Sequence, residues 1–207
     1  MKQLTLHFVA VTLASFATGT AQAIAQTTYP FEATFNSEIT NRPLSGNVFE
    51  TSATSESADA PYGLTNLTIL SYTQIDFNTG VATFNSDPAT FGLEGFPFGT
   101  LAFSGNGSDQ LFGTISGTAN SDSSTITITD GEGRFVGATG ILNGSQTIVS
   151  SPDPGGITAP IITRDRISGS FQTPQAVPEP ETNATLIGIG AVSVGFLLRR
   201  RNKKAIA

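Results

Sequence analysis

Residues 125–149 read TITITDGEGRFVGATGILNGSQTIV. The first five alternate without a break. Ile126 and Ile128 fall on one side, and Thr125, Thr127 and Thr129 on the other. Period two is the repeat of a strand, because successive side chains leave opposite faces of the pleat. Both residue types are β-branched and suit a half-buried pleated surface. Asp130 ends the run, and Gly131, Gly133, Gly137 and Gly140 follow within ten residues. Glycine reaches positive φ and lets backbones approach closely, so these ten residues are not a plain strand interior.

The same pattern extends outward in both directions. Short alternating runs are broken by turn residues every 8–12 residues or so, the pattern of an all-β domain. Toward the N-terminus, 98–104 and 111–119 read as strands, with Leu101 and Phe103 on one face and Leu111 and Ile115 on another. The long run 64–77 places Leu67, Ile69, Ile75 and Phe77 on one side. Asn78, Thr79 and Gly80 turn it, and 81–84 returns. Residues 29–39 form a first strand, 44–50 a weaker second one, and 51–61 (TSATSESADAP) a loop. Residues 87–97 also read as a loop, although Phe91, Phe96 and Phe98 crowd it. Toward the C-terminus, 151–160 is a Pro/Gly loop and 161–171 the last strand. No stretch carries apolar residues at helical spacing over three turns.

The segment GEGRFVGATG, 131–140, resembles the dirigent and allene-oxide-cyclase-like barrels. There a strand ending in Asp, a glycine-rich corner, Arg-Phe and Gly-Ala-Thr-Gly lead into another strand. The resemblance covers about ten residues, or fifty with its flanks. It implies an antiparallel barrel of about eight strands, with room for side chains or one small apolar ligand. A two-sheet sandwich would give the same sequence pattern and stands as the alternative. None of those families' catalytic residues has a matching position here.

Charge and composition narrow the chemistry. Residues 26–176 hold four cations, Arg42, Arg134, Arg164 and Arg166, and no lysine. All sixteen acidic residues of the chain fall within 26–181, so that exported part carries about −12. Such a surface argues against nucleic acid as a partner. The chain has no cysteine, and its one histidine is His7. Serine–histidine, cysteine–histidine and zinc–histidine chemistries are therefore excluded from the domain. Asp109, Asp122, Asp130 and Glu132 lie in or beside turns, but their spacing matches no calcium loop. The reading assigns no metal, no cofactor and no catalytic residue. In the last strand Asp165 shares its phase with Ile161, Ile167 and Phe171. A buried charge needs a partner, and Arg134 is the candidate for an ion pair with Asp165. The plainer reading leaves Asp165 at a strand end in solvent.

The two ends of the chain read as addresses. Lys2, an apolar stretch and the small residues before Ala25 make 1–25 a secretory signal peptide. Residues 26–176 then form one exported β domain. Residues 182–198 (TNATLIGIGAVSVGFLL) carry no charge and reach about 25 Å as a helix, inside the spanning range. Arg199, Arg200, Arg201, Lys203 and Lys204 follow and hold that end on the cytoplasmic side. Val177, Pro178, Glu179 and Pro180 precede the apolar run. Motif, spanning helix and basic cluster, together 177–207, resemble the PEP-CTERM sorting signal of Gram-negative envelope proteins. The resemblance implies recognition by an exosortase, transient insertion in the inner membrane, cleavage near the motif, and association with exopolysaccharide. A plain single-pass anchor is the alternative.

The expected function is therefore non-enzymatic: an exported envelope or extracellular-matrix protein, structural or polysaccharide-associated. A small-ligand barrel comes second. An isomerase- or cyclase-like enzyme comes third, and it would need carboxylates facing a cavity.

Overall fold

The computed structural model describes residues 25–119 and 124–175. Nine strands make up these residues: β1 Ala25–Ser45, β2 Val48–Glu56, β3 Asn66–Asp76, β4 Val81–Asn85, β5 Leu101–Ser104, β6 Gln110–Thr118, β7 Ser124–Glu132, β8 Thr139–Ser150 and β9 Ile161–Gln175. Around the sheet the order is β2-β1-β9-β8-β7-β6-β4-β3, and β3 pairs back onto β2. The sheet therefore closes on itself as an antiparallel barrel; it is not a sandwich. β5 is the extra strand, and it shares one position in the ring with β4. Residues 66–69 of β3 pair with β5, and 72–76 pair with β4. Residues 111–113 of β6 pair with β5, and 116–118 pair with β4. Nine strands thus make eight staves, one of them in two pieces.

Between those two pieces the chain leaves the barrel at Ser86 and returns at Gly99. The Gly99 amide donates to the Ser86 carbonyl at 2.7 Å, which closes the excursion at its base. Tyr72 points outward from β3 into this excursion and is fully buried, in a small second core with Val48 and Leu93 and against Leu44 and Phe91. Its hydroxyl donates to the Pro97 carbonyl at 2.6 Å. Of the three phenylalanines that crowd this stretch, Phe91 packs on that core, and Phe96 and Phe98 are exposed. Tyr72→Phe keeps the ring and deletes only that bond. It should cost about 0.5–1.5 kcal/mol, since the exposed Pro97 carbonyl can turn to water. Urea denaturation checks the magnitude, and amide exchange should speed up in 86–100 before it does anywhere in the ring.

Two expectations fail. Residues 51–56 are not loop: β2 runs to Glu56 and pairs on both sides, with β1 and β3. Thr51, Ala53 and Ser55 are its inward residues and are buried. Small side chains satisfy the pleat but carry no hydrophobic alternation to read. Phe77 does not join Leu67 and Ile69 inside. β3 ends at Asp76, and Phe77 sits in the turn, 70% exposed. Residues 1–24 of the expected signal peptide 1–25, the sorting motif, the apolar run 182–198 and the basic cluster lie outside the described residues. Among the described residues no helix is long and apolar enough to cross a membrane.

The lumen has two unlike halves, and the inward residues set the difference. One half receives Phe31, Phe35, Leu67, Leu101, Phe103, Leu111, Ile126, Ile128 and Phe171, which fill it. Phe135 and Leu64 plug the end of that half from two short 3-10 turns, Gly133–Phe135 and Pro61–Gly63. Tyr29, Tyr62, Phe135 and Phe171 pack there ring against ring at 5.1–6.2 Å between centroids. In the other half the inward positions of β1, β2, β3 and β9 include Ser37, Asn41, Thr51, Ala53, Ser55, Ser71, Thr73 and Thr163. Side chains this small cannot meet across a barrel of eight staves.

Candidate functional site

What remains in that second half is a cavity of about 180 Å³. Ile39, Ile69, Ile75, Ile115, Ile148 and Ile161 supply its apolar wall. An inner chamber of about 60 Å³ adjoins it and shares Ile39, Ala53, Ile69, Phe84, Ile115 and Gln146 with it. Asp165 lines only the inner chamber.

The polar groups of the lumen form two sets. In the first, Thr51 donates to the Asn41 side chain at 2.6 Å and lies 2.6 Å from the Thr73 hydroxyl. Asn41 in turn donates to the Gly155 carbonyl at 2.8 Å, and its backbone amide donates to Gly156 at 2.7 Å. These bonds hold the loop between β8 and β9 against the barrel, where Pro154 lines the cavity. Asp153 folds that loop from within. Its carboxylate accepts from the amides of Gly155, Ile157 and Thr158 and from the Thr158 hydroxyl. The Thr158 bonds lead in holding its pKa down, to about 2 from 3.8. A lowered folded-state pKa gives stability that is present above 3.8 and lost as pH falls through about 2. The Ile157 and Thr158 amides should therefore lose exchange protection over that window while the ring amides keep theirs. Asp153→Asn should show the same loosening without the pH dependence.

The second set surrounds Asp165. Its Oδ2 accepts from Ser37 at 2.5 Å and from Thr163 at 3.1 Å. Its Oδ1 is sealed from solvent and makes no hydrogen bond of ordinary geometry. Burial pushes the carboxyl above its ordinary range. The Ser37 and Thr163 hydroxyls, and Gln146 directly opposite on β8, pull it back only in part.

Asp165 thus faces inward, as its phase predicts, but Arg134 is not its partner. Arg134 bonds Asp109 at 2.7 Å through both its backbone amide and its Nε, and its guanidinium reaches the Tyr62 carbonyl at 3.1 Å. The antiparallel pairing Gln110↔Glu132 brings the two turns side by side, so a hairpin neighbour takes the arginine. Among the described residues no cation lies within ion-pair distance of Asp165. Ser37, Thr163 and Gln146 are absent from the sequence reading. The signal for Ser37 and Thr163 was the inward phase of β1 and β9, in which serine and threonine share a face with phenylalanine and isoleucine; Gln146 comes from β8 and is set only by the β8–β9 register.

Of the acidic turn residues, Asp130 and Asp109 tie down their own turns, and Asp122 lies outside the described residues. Asp130 accepts from the amides of Gly131 and Gly137 and so ties the glycine corner, and Asp109 holds Arg134. Among the described residues no group of three or more histidine, cysteine or acidic side chains converges.

Nothing matches among curated protein sequences. Among solved structures, the pterocarpan synthase dirigent protein GePTS1 is similar over 77% of this chain and 92% of that chain, at 12% identity and a TM-score of 0.41. Residues 176–201 match the family model for the PEP-CTERM protein-sorting motif, an exosortase substrate signal that implies export and a membrane-anchored precursor, and this chain carries that motif.

Proposed function

We propose that the chain is the precursor of a cell-envelope or extracellular-matrix protein whose barrel is the delivered product. Residues 1–25 direct export, 182–198 hold the precursor in the inner membrane, and an exosortase cuts near Val177, Pro178, Glu179 and Pro180. The observation that carries this reading is the adjacency of two features. The last strand ends at Gln175, and the matched sorting motif begins at 176. The β2–β3 pairing closes the ring using residues before 77 alone, so a cut near the motif would leave the ladder whole. The released barrel is structural or polysaccharide-associated. Its cavity lining holds one carboxylate and no second titratable group to exchange a proton with it, which favours binding or scaffolding over acid–base catalysis.

Peptide mapping of the native protein from membrane and extracellular fractions tests the sorting. The expected product lies outside the cell, ends between Val177 and Glu181, and disappears when the exosortase is deleted. A protein found only in membranes and retaining Arg199 to Lys204 overturns the reading. The 180 Å³ cavity favours a second reading, a barrel that carries a small apolar ligand.

A further inference from the structure

We propose that the lumen takes a small apolar amine, with its ammonium group on the Asp165 carboxylate and its hydrocarbon body against the isoleucines of the cavity. This rests on the ligand-carrying reading and names the ligand's chemistry.

Size comes first. An apolar cavity of about 150 Å³ is enough to hold benzene. The main chamber here is about 180 Å³, and the inner one adds about 60 Å³. The two together fit one ring or a short branched chain plus a head group. They are well below the roughly 300 Å³ at which drug-sized sites begin.

The head group follows from Asp165. One carboxylate oxygen is served by two neutral hydroxyls, and the other makes no hydrogen bond of ordinary geometry, with the neutral Gln146 side chain beside the carboxylate, in a residue that lines the inner chamber. An acceptor in that position calls for a donor. The lining contains no lysine, arginine or histidine to provide one, and Arg134 is committed to Asp109. A neutral donor would satisfy the hydrogen bond and leave the charge. An ammonium satisfies both, and charge-assisted bonds are about twice as strong as neutral ones. Gln146, the neutral donor beside the carboxylate, lines both chambers. The acidic excess of the domain also raises the local concentration of cations over anions.

Benzylamine and benzyl alcohol are the probes, nearly equal in size and different in charge. They are titrated by calorimetry against the full chain in nanodiscs, with empty nanodiscs as the blank. The expected result is benzylamine binding at least tenfold tighter than benzyl alcohol. Asp165→Asn should cost benzylamine tenfold or more and leave benzyl alcohol unchanged. Ala53→Phe, which fills the lumen, should abolish both. If Ala53→Phe does not fold, Ala82→Phe, two staves away on β4, blocks the main chamber instead. Equal binding of the two probes, or benzylamine binding that survives Asp165→Asn, overturns the amine while the ligand-carrying reading stands. No binding of either probe overturns both. Binding that survives a filled lumen places the site elsewhere and overturns the proposal.

Discussion

Gly105→Ala is expected to leave little folded barrel. Gly105 follows β5 directly, and its Cα packs against the Gly63 carbonyl. A methyl group there would overlap that oxygen and crowd the Gly63 carbonyl carbon and the Thr65 amide behind it. All three are backbone atoms, so no rotamer change relieves the contact. The Pro61–Gly63 turn has little freedom to retreat. Tyr62 already sits at φ 63°, its hydroxyl donates to the Pro30 carbonyl at 2.7 Å, and its own carbonyl accepts from Arg134. Leu64, next in the chain, is fully buried in the filled half of the lumen. Relief must therefore come from opening the plugged end or from pulling β5 off β3. Overpacking against side chains costs about 1–3 kcal/mol, and a rigid backbone wall puts this case at the upper end or beyond. That is a large part of the roughly 5–15 kcal/mol that holds a domain of this size together. Gly107, in the same turn, is the control: a Cβ there finds its nearest atom, the Asp109 amide, at 3.9 Å. Gly107→Ala should shift stability by no more than about 0.5 kcal/mol. Equal urea midpoints for the two variants would show that the β5–plug contact does not hold the end closed.

The plugged end is also where the sequence was most legible. Ile126 and Ile128 are both buried, as their alternation requires, and the glycines of 131–140 do turn a corner between β7 and β8. Large side chains announce their face. The opposite half of the lumen was nearly silent for the converse reason. Thr51, Ala53, Ser55, Ser71 and Thr73 point inward as firmly as any phenylalanine, but serine and threonine occur equally on the outside, at Ser52, Thr54 and Thr68. A cavity is made by what is missing, and a missing side chain leaves no periodic signal. Asp165 falls between these cases. Its face was readable from Ile161, Ile167 and Phe171, and its surroundings were not. Ser37 lies 128 residues away in the chain and arrives only because β1 closes the ring against β9. Arg134 and Asp109, by contrast, are 25 residues apart in one hairpin, so that pair was open to inference from the β6–β7 register.

Asp165→Asn should stabilise the barrel at neutral pH, and the gain should vanish in acid. The sign follows from the environment. Burial raises the Asp165 pKa in the folded state above its value in the unfolded chain. A raised pKa gives stability that is fully present below the unfolded value and lost as pH rises through the folded one. The wild-type protein therefore weakens, relative to the variant, from about pH 4 upward, because folding must either bury the charge or take up a proton. Asparagine keeps the two bonds that matter, since its Oδ1 can accept from Ser37 and Thr163. Its amide group then occupies the sealed side, where Gln146 stands directly across on β8 and can present its side-chain oxygen. A buried polar atom left unserved costs about 1–3 kcal/mol, so a gain of that order is expected at pH 7. Chemical denaturation of the two proteins at pH 3.5, 5 and 7 reads it directly: curves that coincide at the lowest pH should separate steadily above it. A constant difference across the series would mean that Asp165 titrates as an ordinary solvated carboxylate. The cost of a buried charge without a cation, which the amine proposal relies on, would then be absent. Benzylamine adds the opposite arm, because a bound ammonium removes the cost of the charge. At saturating benzylamine the wild type should recover the stability it loses above pH 4, while Asp165→Asn gains nothing.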